Sequence, residues 1–340
     1  MADPVEPINS PDATTVFPYH DLTPPTVRDV FRAKPIVERH LPRTPLVRSE
    51  ALSEAFDADV YLKREDTLPT GAFKVRGGVT LAARLPERFA ERGLVAASTG
   101  NHGQSIAYAG RLLSVPVVIV VPEAANPVKV AAMERLGATV KQVGRHFDEA
   151  REHAEELAST EGYRYVHSGN EPDLIAGVGT AGLEILEEQP DLEYLFCPVG
   201  GGSSASGYCL TLGQLAGTKV IGVQSHAAPG VYEAWNGGHL KPHDRVETHA
   251  EGVANGSPFA VPMEILRDGL HDFRLVEEED IDRATLDLLA NDSILAEGAA
   301  ATSLAAMRAA KEELQGASVA FPISGRNIDV GSLRRVLEQA

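Results

Sequence analysis

Hydrophobic positions along this chain follow two periods in turn. Four short runs, 93–97, 117–121, 139–143 and 163–167, read as strands; between them a turn over 98–103 leads into a helix running to Leu113, and 127–136 and 147–161 read as helices. Val117-Val118-Ile119-Val120-Val121 is apolar at every position, as expected of a strand covered on both faces. Pro116 opens it, which a strand's first position tolerates. Strand and helix alternating at this spacing predict parallel βαβ units.

The pattern resumes with a helix over 175–188, a strand over 194–198, a loop at 200–204, a helix over 205–215 and a strand over 219–224. Residues 226–251 read as irregular. Helices over 260–269, 278–291, 299–314 and 331–338 then alternate with strands over 272–276 and 318–323. At the other end, residues 1–20 are Pro-rich and polar and predict an extended arm. Pro24 and Pro25 open a helix that runs to about His40, as proline favours a first turn. Residues 49–56 read as a short helix, 60–63 as a strand and 73–83 as a helix. There is no internal repeat and no low-complexity linker.

Composition narrows the function classes. With 43% hydrophobic and 23% charged residues the chain is an ordinary globular protein, and 340 residues suffice for one or two domains. The 48 acidic residues outnumber the 31 basic ones, giving a net charge of −17, which argues against a nucleic-acid partner. The same excess reads either as an ordinary self-repelling surface or as adaptation to high salt, where screening relieves that repulsion. Cys197 and Cys209 have neither metal-ligand spacing nor a disulfide framework, which fits a reducing cytoplasm. The N-terminus lacks a signal-peptide pattern, and the most apolar run, Val115 to Val121, is too short to span a membrane, so no membrane partner is expected.

Candidate chemistry centres on Lys74, set in Pro69-Thr70-Gly71-Ala72-Phe73-Lys74-Val75-Arg76-Gly77-Gly78. A lysine with an aromatic residue before it and small residues on both sides has a packed stem and a shielded amine, the condition for Schiff-base chemistry. Three small-residue turns follow strands and open helices: Ser98 to Gly103, Gly200 to Ser204, and Ser324-Gly325-Arg326-Asn327 after the last strand. Such turns aim backbone N–H groups at a bound anion, and three of them at strand C-termini point to one crevice. Two dinucleotide-type spacings compete, at Gly177–Gly182 and Gly200–Ala205. The first lacks a clear preceding strand, and the second lacks an acidic residue after the next strand. The 11 histidines are scattered and support no metal site.

Taken in order, Lys63-Arg64-Glu65-Asp66, Gly71-Ala72-Phe73-Lys74-Val75-Arg76-Gly77, Ser98-Thr99-Gly100-Asn101-His102-Gly103-Gln104, Pro198-Val199-Gly200-Gly201-Gly202 and Ser324-Gly325-Arg326-Asn327 resemble the pyridoxal 5'-phosphate enzymes of fold type II. The resemblance is to the threonine/serine ammonia-lyase (dehydratase) and serine racemase branch, and it runs from about Thr44 to Asp329. His102 after Asn101 favours this branch over cysteine-synthase relatives. The resemblance implies a tryptophan-synthase-β-like α/β fold of two open parallel-sheet domains with helices on both faces. Residues 1–89 and 169–340 would form the large cofactor domain and 90–168 the small inserted one. The cofactor would lie between the two domains, and a homodimer is expected.

It also implies roles. Lys74 is the Schiff-base lysine and proton acceptor, and Phe73 packs beside the ring. Asn101 bonds the cofactor's 3′-oxygen. Gly200, Gly201, Gly202 and Ser203 cradle the phosphate, and Ser324 faces the pyridine nitrogen. Glu297 lies near the cofactor with no assigned role. Ser98, Thr99, Gly100 and His102 line the substrate side, with Thr99 also a catalytic candidate, a hydroxyl acid on the ring face opposite the lysine; Arg151 is a further candidate on the substrate side. The reaction implied is dehydration of a small β-hydroxy amino acid, L-threonine or L-serine, to a 2-keto acid and ammonia. Serine racemase, 3-hydroxyaspartate ammonia-lyase and a non-catalytic amino-acid sensor are the alternatives.

The chain departs from the family pattern at several places. Ser203 replaces a fourth glycine, and Arg326 a glycine beside the ring. Gln224 and Gly230 stand where cation-binding members carry acids, so no metal site is carried over. Thr99 stands where racemases use serine, and the substrate loop reads His167-Ser168-Gly169-Asn170-Glu171-Pro172. The resemblance ends without the C-terminal regulatory domain of allosteric biosynthetic forms, so no such domain is expected. The charge excess carries a prediction of its own: the thermal midpoint rises between low and molar salt, and a midpoint unchanged by salt would refute adaptation to it.

Overall fold

The computed structural model describes residues 23–237, 240, 243 and 246–338; the arm expected over 1–20 lies outside them. The described residues contain ten strands: β1 (Leu46–Arg48), β2 (Asp59–Lys63), β3 (Leu94–Ala97), β4 (Val117–Val121), β5 (Thr139–Gln142), β6 (Arg164–Tyr165), β7 (Tyr194–Pro198), β8 (Lys219–Ser225), β9 (Asp272–Val276) and β10 (Ser318–Pro322). The chain divides by its internal contacts into two units. The described part of one comprises 23–41 and 74–178; the other comprises 42–73 and the chain from 179 onward.

In the first unit the strands run parallel in the order β5-β4-β3-β6. β4 is buried at all five positions, as its unbroken apolar run requires. Ala150, Ala154 and Leu157 of the helix Phe147–Glu161 cover Val95, Val118 and Val120. The segment expected as the small domain, 90–168, lies within this unit, which also takes in 23–41, 74–89 and 169–178. The reason is local. The helix Val75–Ala83 packs so closely on Asn101–Leu113 that a Cβ on Gly78 would press on the Ser105 carbonyl oxygen at 2.8 Å.

The second unit holds a six-stranded sheet in the order β1-β2-β10-β7-β8-β9, parallel except for β1. Its core places Phe196, Ile221, Val223 and Phe321 of the sheet against Ala300, Ala301, Leu304 and Met307 of the helix Gly298–Ala309. β7, β8, β9 and β10 all occur where the pattern puts them, within a residue at their ends.

Differences have physical causes. The first helix begins at Val27, with Pro24 and Pro25 ahead of its cap rather than in its first turn. Thr26 and Asp29 form the capping box there, with Asp29 Oδ2 accepting from the Thr26 N–H at 2.9 Å. The helix expected over 205–215 is α-helical at Ser203–Tyr208 and continues as π-helical turns over Cys209–Ala216. A helix at Gly230–Gly237 interrupts the stretch expected to be irregular.

The glycines of the first dinucleotide-like spacing, Gly177 and Gly182, are packing residues. A Cβ on Gly177 would meet the Arg76 carbonyl oxygen at 2.6 Å and Gly77 Cα at 2.8 Å, so this helix seats directly on Val75–Ala83. Gly182 does the same against Thr211 and Tyr208. Gly177→Ala is expected to lower stability by about 1–3 kcal/mol, measured as a shift in denaturant midpoint at constant slope.

Candidate active site

Lys74 is the N-cap of the helix Val75–Ala83, not an interior residue of it. Its carbonyl oxygen accepts from Ser105 Oγ at 2.7 Å and from the Gly78 N–H at 3.2 Å. The helix behind it is clamped on two sides, since a Cβ on Gly77 would press on the Leu174 carbonyl oxygen and one on Gly78 on Ser105. Part of the Lys74 side chain reaches solvent. Enough protein surrounds the amine, even so, that desolvation lowers its pKa from 10.5 to about 8.

In the same unit, the turn after β3 is shaped by Ser98. Its hydroxyl oxygen accepts from the Gly103 N–H at 2.9 Å and the Gly100 N–H at 3.3 Å, so its side chain shapes the turn. Thr99 and Gly100 are half-buried, and a Cβ on Gly100 would meet nothing within 4 Å, which leaves space in front of the turn. Asn101 is the first residue of the helix Asn101–Leu113. His102 is buried, with Nε2 3.2 Å from the Val166 carbonyl oxygen. Nε2 therefore carries the proton. Burial, with a contribution from the Lys74 charge, lowers the ring's pKa to about 3, so it is neutral at physiological pH. Its buried Nδ1 has no hydrogen-bond partner among the described residues.

The 167–171 loop is also fixed from within. His167 Nδ1 accepts from the N–H groups of Gly169 at 3.0 Å and Asn170 at 2.9 Å. Glu171 pairs with Arg164, its Oε2 lying 2.9 Å from Nη2, and burial raises its pKa. Arg151 pairs with Glu155 at 3.0 Å on its own helix.

The second unit carries the other candidate residues. Phe73 donates its N–H to the Ser324 carbonyl oxygen at 3.0 Å, and Ser324 is buried. The adjoining Arg326 is exposed beside Gly71, its N–H donating to the Gly71 carbonyl oxygen at 2.9 Å. Glu297 backs the same turn: its N–H donates to the Gly325 carbonyl oxygen at 3.1 Å, and its Oε2 accepts from the Asn327 N–H at 3.3 Å. The Lys63–Asp66 motif proves to be scaffolding. Fully buried Lys63 donates to Glu184 Oε2 and to the Thr44 carbonyl oxygen, both at 2.7 Å. The Asp66 N–H donates to the Ile323 carbonyl oxygen at 3.0 Å, one residue before Ser324.

The turn after β7 is packed on its back side. A Cβ on Gly200 would collide with the Gly252 carbonyl oxygen, and one on Gly201 would meet the Phe259 ring at 2.7 Å. One on Gly202 would meet Pro262 Cβ at 2.9 Å, and Gly202 has φ +87°, a region that favours glycine. Ser203, buried, opens the helix. Among the described residues the N–H groups of Gly200, Gly201 and Gly202 have no acceptor. A cradle of this kind fits a phosphate group. Sequence reasoning missed its wall, Gly252 to Phe259, which lies in loops with no motif of their own. Gln224, which stands where cation-binding relatives carry an acid, is engaged as an amide: its Oε1 accepts from Val231 and Tyr232, and its Nε2 donates to the Asn255 carbonyl oxygen.

A desolvated lysine amine and an amide-lined glycine cradle, on an open parallel α/β framework, are the parts of an enzyme that works through a phosphorylated aldehyde cofactor. The chain belongs to the pyridoxal-phosphate dependent enzyme family, whose model matches residues 37–325, and it falls in the fold type II branch of threonine/serine dehydratases and serine racemases. It is 38% identical over 315 residues to an L-threonine ammonia-lyase of Thermotoga maritima, covering 92% of this chain and 78% of that one. Among solved structures it is similar to the processed form of threonine deaminase isoform 2 from Solanum lycopersicum. The TM-score there is 0.88, with 30% identity over 94% of this chain and 90% of that one. It is also similar to the serine racemase of Dictyostelium discoideum, with TM-score 0.84 and 30% identity over 90% and 99%.

The lysine geometry predicts a titration. In cofactor-free protein, amine labelling of Lys74 followed by peptide mass analysis should show a midpoint near pH 8 rather than 10.5. Between those values the unfolded chain keeps a proton that the folded one has released. Stability relative to Lys74→Met should therefore rise with pH across that window. A midpoint at the ordinary value would refute the desolvated amine.

Proposed function

We propose that this protein is a pyridoxal-phosphate-dependent ammonia-lyase that dehydrates L-threonine and L-serine to the 2-keto acid and ammonia. The observation that carries the reading is the Lys74 amine, brought by burial to a pKa of about 8, in a chain 38% identical to an L-threonine ammonia-lyase. When bound, pyridoxal phosphate supplies an electron sink for charge developing at the substrate Cα. Gly200, Gly201, Gly202 and Ser203 would hold its phosphate through backbone N–H groups, Asn101 would bond its 3′-oxygen, and Ser324 would face its ring nitrogen. Phe73 would pack beside the ring, with Glu297 behind.

Lys74 Nζ takes the Cα proton; an amine with pKa near 8 is largely available as a base at slightly alkaline pH. The turn Ser98–Gly103 receives the substrate carboxylate at the start of the helix Asn101–Leu113, with Ser98 shaping the turn and Thr99 and Gly100 bounding the open space. His102, neutral, offers that side an acceptor and no charge. The two cysteines are free thiols, in keeping with a reducing cytoplasm, and we infer a homodimer adapted to salt.

Keto-acid release from L-threonine, L-serine and 3-hydroxyaspartate tests the reading, with Lys74→Ala as control. Release from threonine or serine, reduced at least about 10³-fold in the control, is expected. Release from 3-hydroxyaspartate alone would shift the substrate. Chiral analysis of unreacted serine reads out the racemase alternative, which the similarity to the Dictyostelium enzyme favours. Sedimentation of the purified chain tests the dimer.

A further inference from the structure

The glycine cradle after β7 is held by a loop no motif announces. Asn255 donates through Nδ2 to the Ser257 carbonyl oxygen at 2.9 Å and to the Gly200 carbonyl oxygen at 3.4 Å, while its Oδ1 accepts from the Ser257 N–H at 3.2 Å. The side chain is thus locked to its own loop and reaches out to the cradle with the remaining donor. The loop in turn is anchored. Gln224, fully buried at the C-terminal end of β8, donates through Nε2 to the Asn255 carbonyl oxygen at 3.2 Å. Its Oε1 accepts from Val231 at 3.2 Å and Tyr232 at 3.0 Å, in the first turn of the helix Gly230–Gly237.

A trans peptide is planar, so its C=O and its N–H point in opposite directions. Fixing the Gly200 carbonyl toward Asn255 therefore turns the Gly201 N–H away from the wall. The two Cα atoms flanking that peptide cannot shift backward, because Gly252 stands behind Gly200 and Phe259 behind Gly201. The Gly200–Gly201 peptide thus has one orientation available.

We propose that Asn255 is a positioning residue for the phosphate cradle: by holding the Gly200 carbonyl it aims the Gly201 N–H at the cofactor's phosphate, and Gln224 is the anchor that keeps it in place. The inference rests on the assignment of Gly200–Ser203 to the phosphate. It makes Asn255 a determinant of phosphate recognition, distinct from recognition of the ring or aldehyde.

That distinction gives the test. Full-length protein stripped of cofactor is titrated with pyridoxal phosphate and with pyridoxal, which lacks the phosphate, for wild type, Asn255→Leu and Gln224→Met. Loss of one aimed donor should weaken pyridoxal phosphate by about tenfold in each variant. Pyridoxal should be unchanged within about twofold, which also shows the variant to be folded. The phosphorus resonance of the bound cofactor should move in both variants. Should Asn255→Leu fail to fold, Asn255→Ser, too short to reach Gly200, replaces it. Unchanged affinity for pyridoxal phosphate, or an equal loss for both compounds, overturns the proposal. Wild-type protein that binds pyridoxal phosphate no better than pyridoxal would instead remove the phosphate assignment, and the proposal with it.

Discussion

Backbone approaching backbone, with no Cβ between, is the constraint on which both units depend. In the first, Gly77 and Gly78 seat the helix that follows Lys74 against Leu174 and Ser105 at once. In the second, a Cβ on Gly200 would meet the Gly252 carbonyl oxygen, so the cradle is pressed against a backbone wall. Interiors packed this tightly transmit a single added carbon as strain, which is why these positions hold glycine and not alanine.

Buried charge fixes the same segments from the other side. Lys63 lies fully buried with Glu184 and Thr44. Desolvating such a pair consumes much of its Coulomb gain, so its value is in specifying where β2 ends and the run toward Lys74 begins. Arg164 and Glu171 do this for the 167–171 loop. The histidines use the same logic without net charge: His102 and His167 each spend one ring nitrogen on backbone, which fixes the tautomer and with it what the other nitrogen can do.

Much of this was legible in the sequence, and the boundary of legibility is physical. β4 and β7 announce themselves because a strand covered on both faces must be apolar throughout. The glycines after β7 stand out because a turn walled this closely admits few residue types. The helix Gly230–Gly237 was not legible, because its first N–H groups are taken by Gln224, a side chain at the end of the preceding strand, rather than by a residue at the cap position. The grouping of 74–89 with the four-stranded sheet comes from helix contact that strand periodicity does not encode. Asn255 is an ordinary loop asparagine until the fold brings Gly200 to it.

On the function we propose, the cradle would hold phosphate through the dipoles of its backbone amides. Its donors are neutral amides acting at hydrogen-bond range inside a walled turn, whereas a guanidinium clamp on the surface would act through a field that dissolved ions cancel within a few ångströms. For a chain carrying a net charge of −17, this separates two demands. On that reading a strongly anionic surface and the hold on a phosphorylated cofactor would answer to the surrounding ions separately, because the amides act only at hydrogen-bond range.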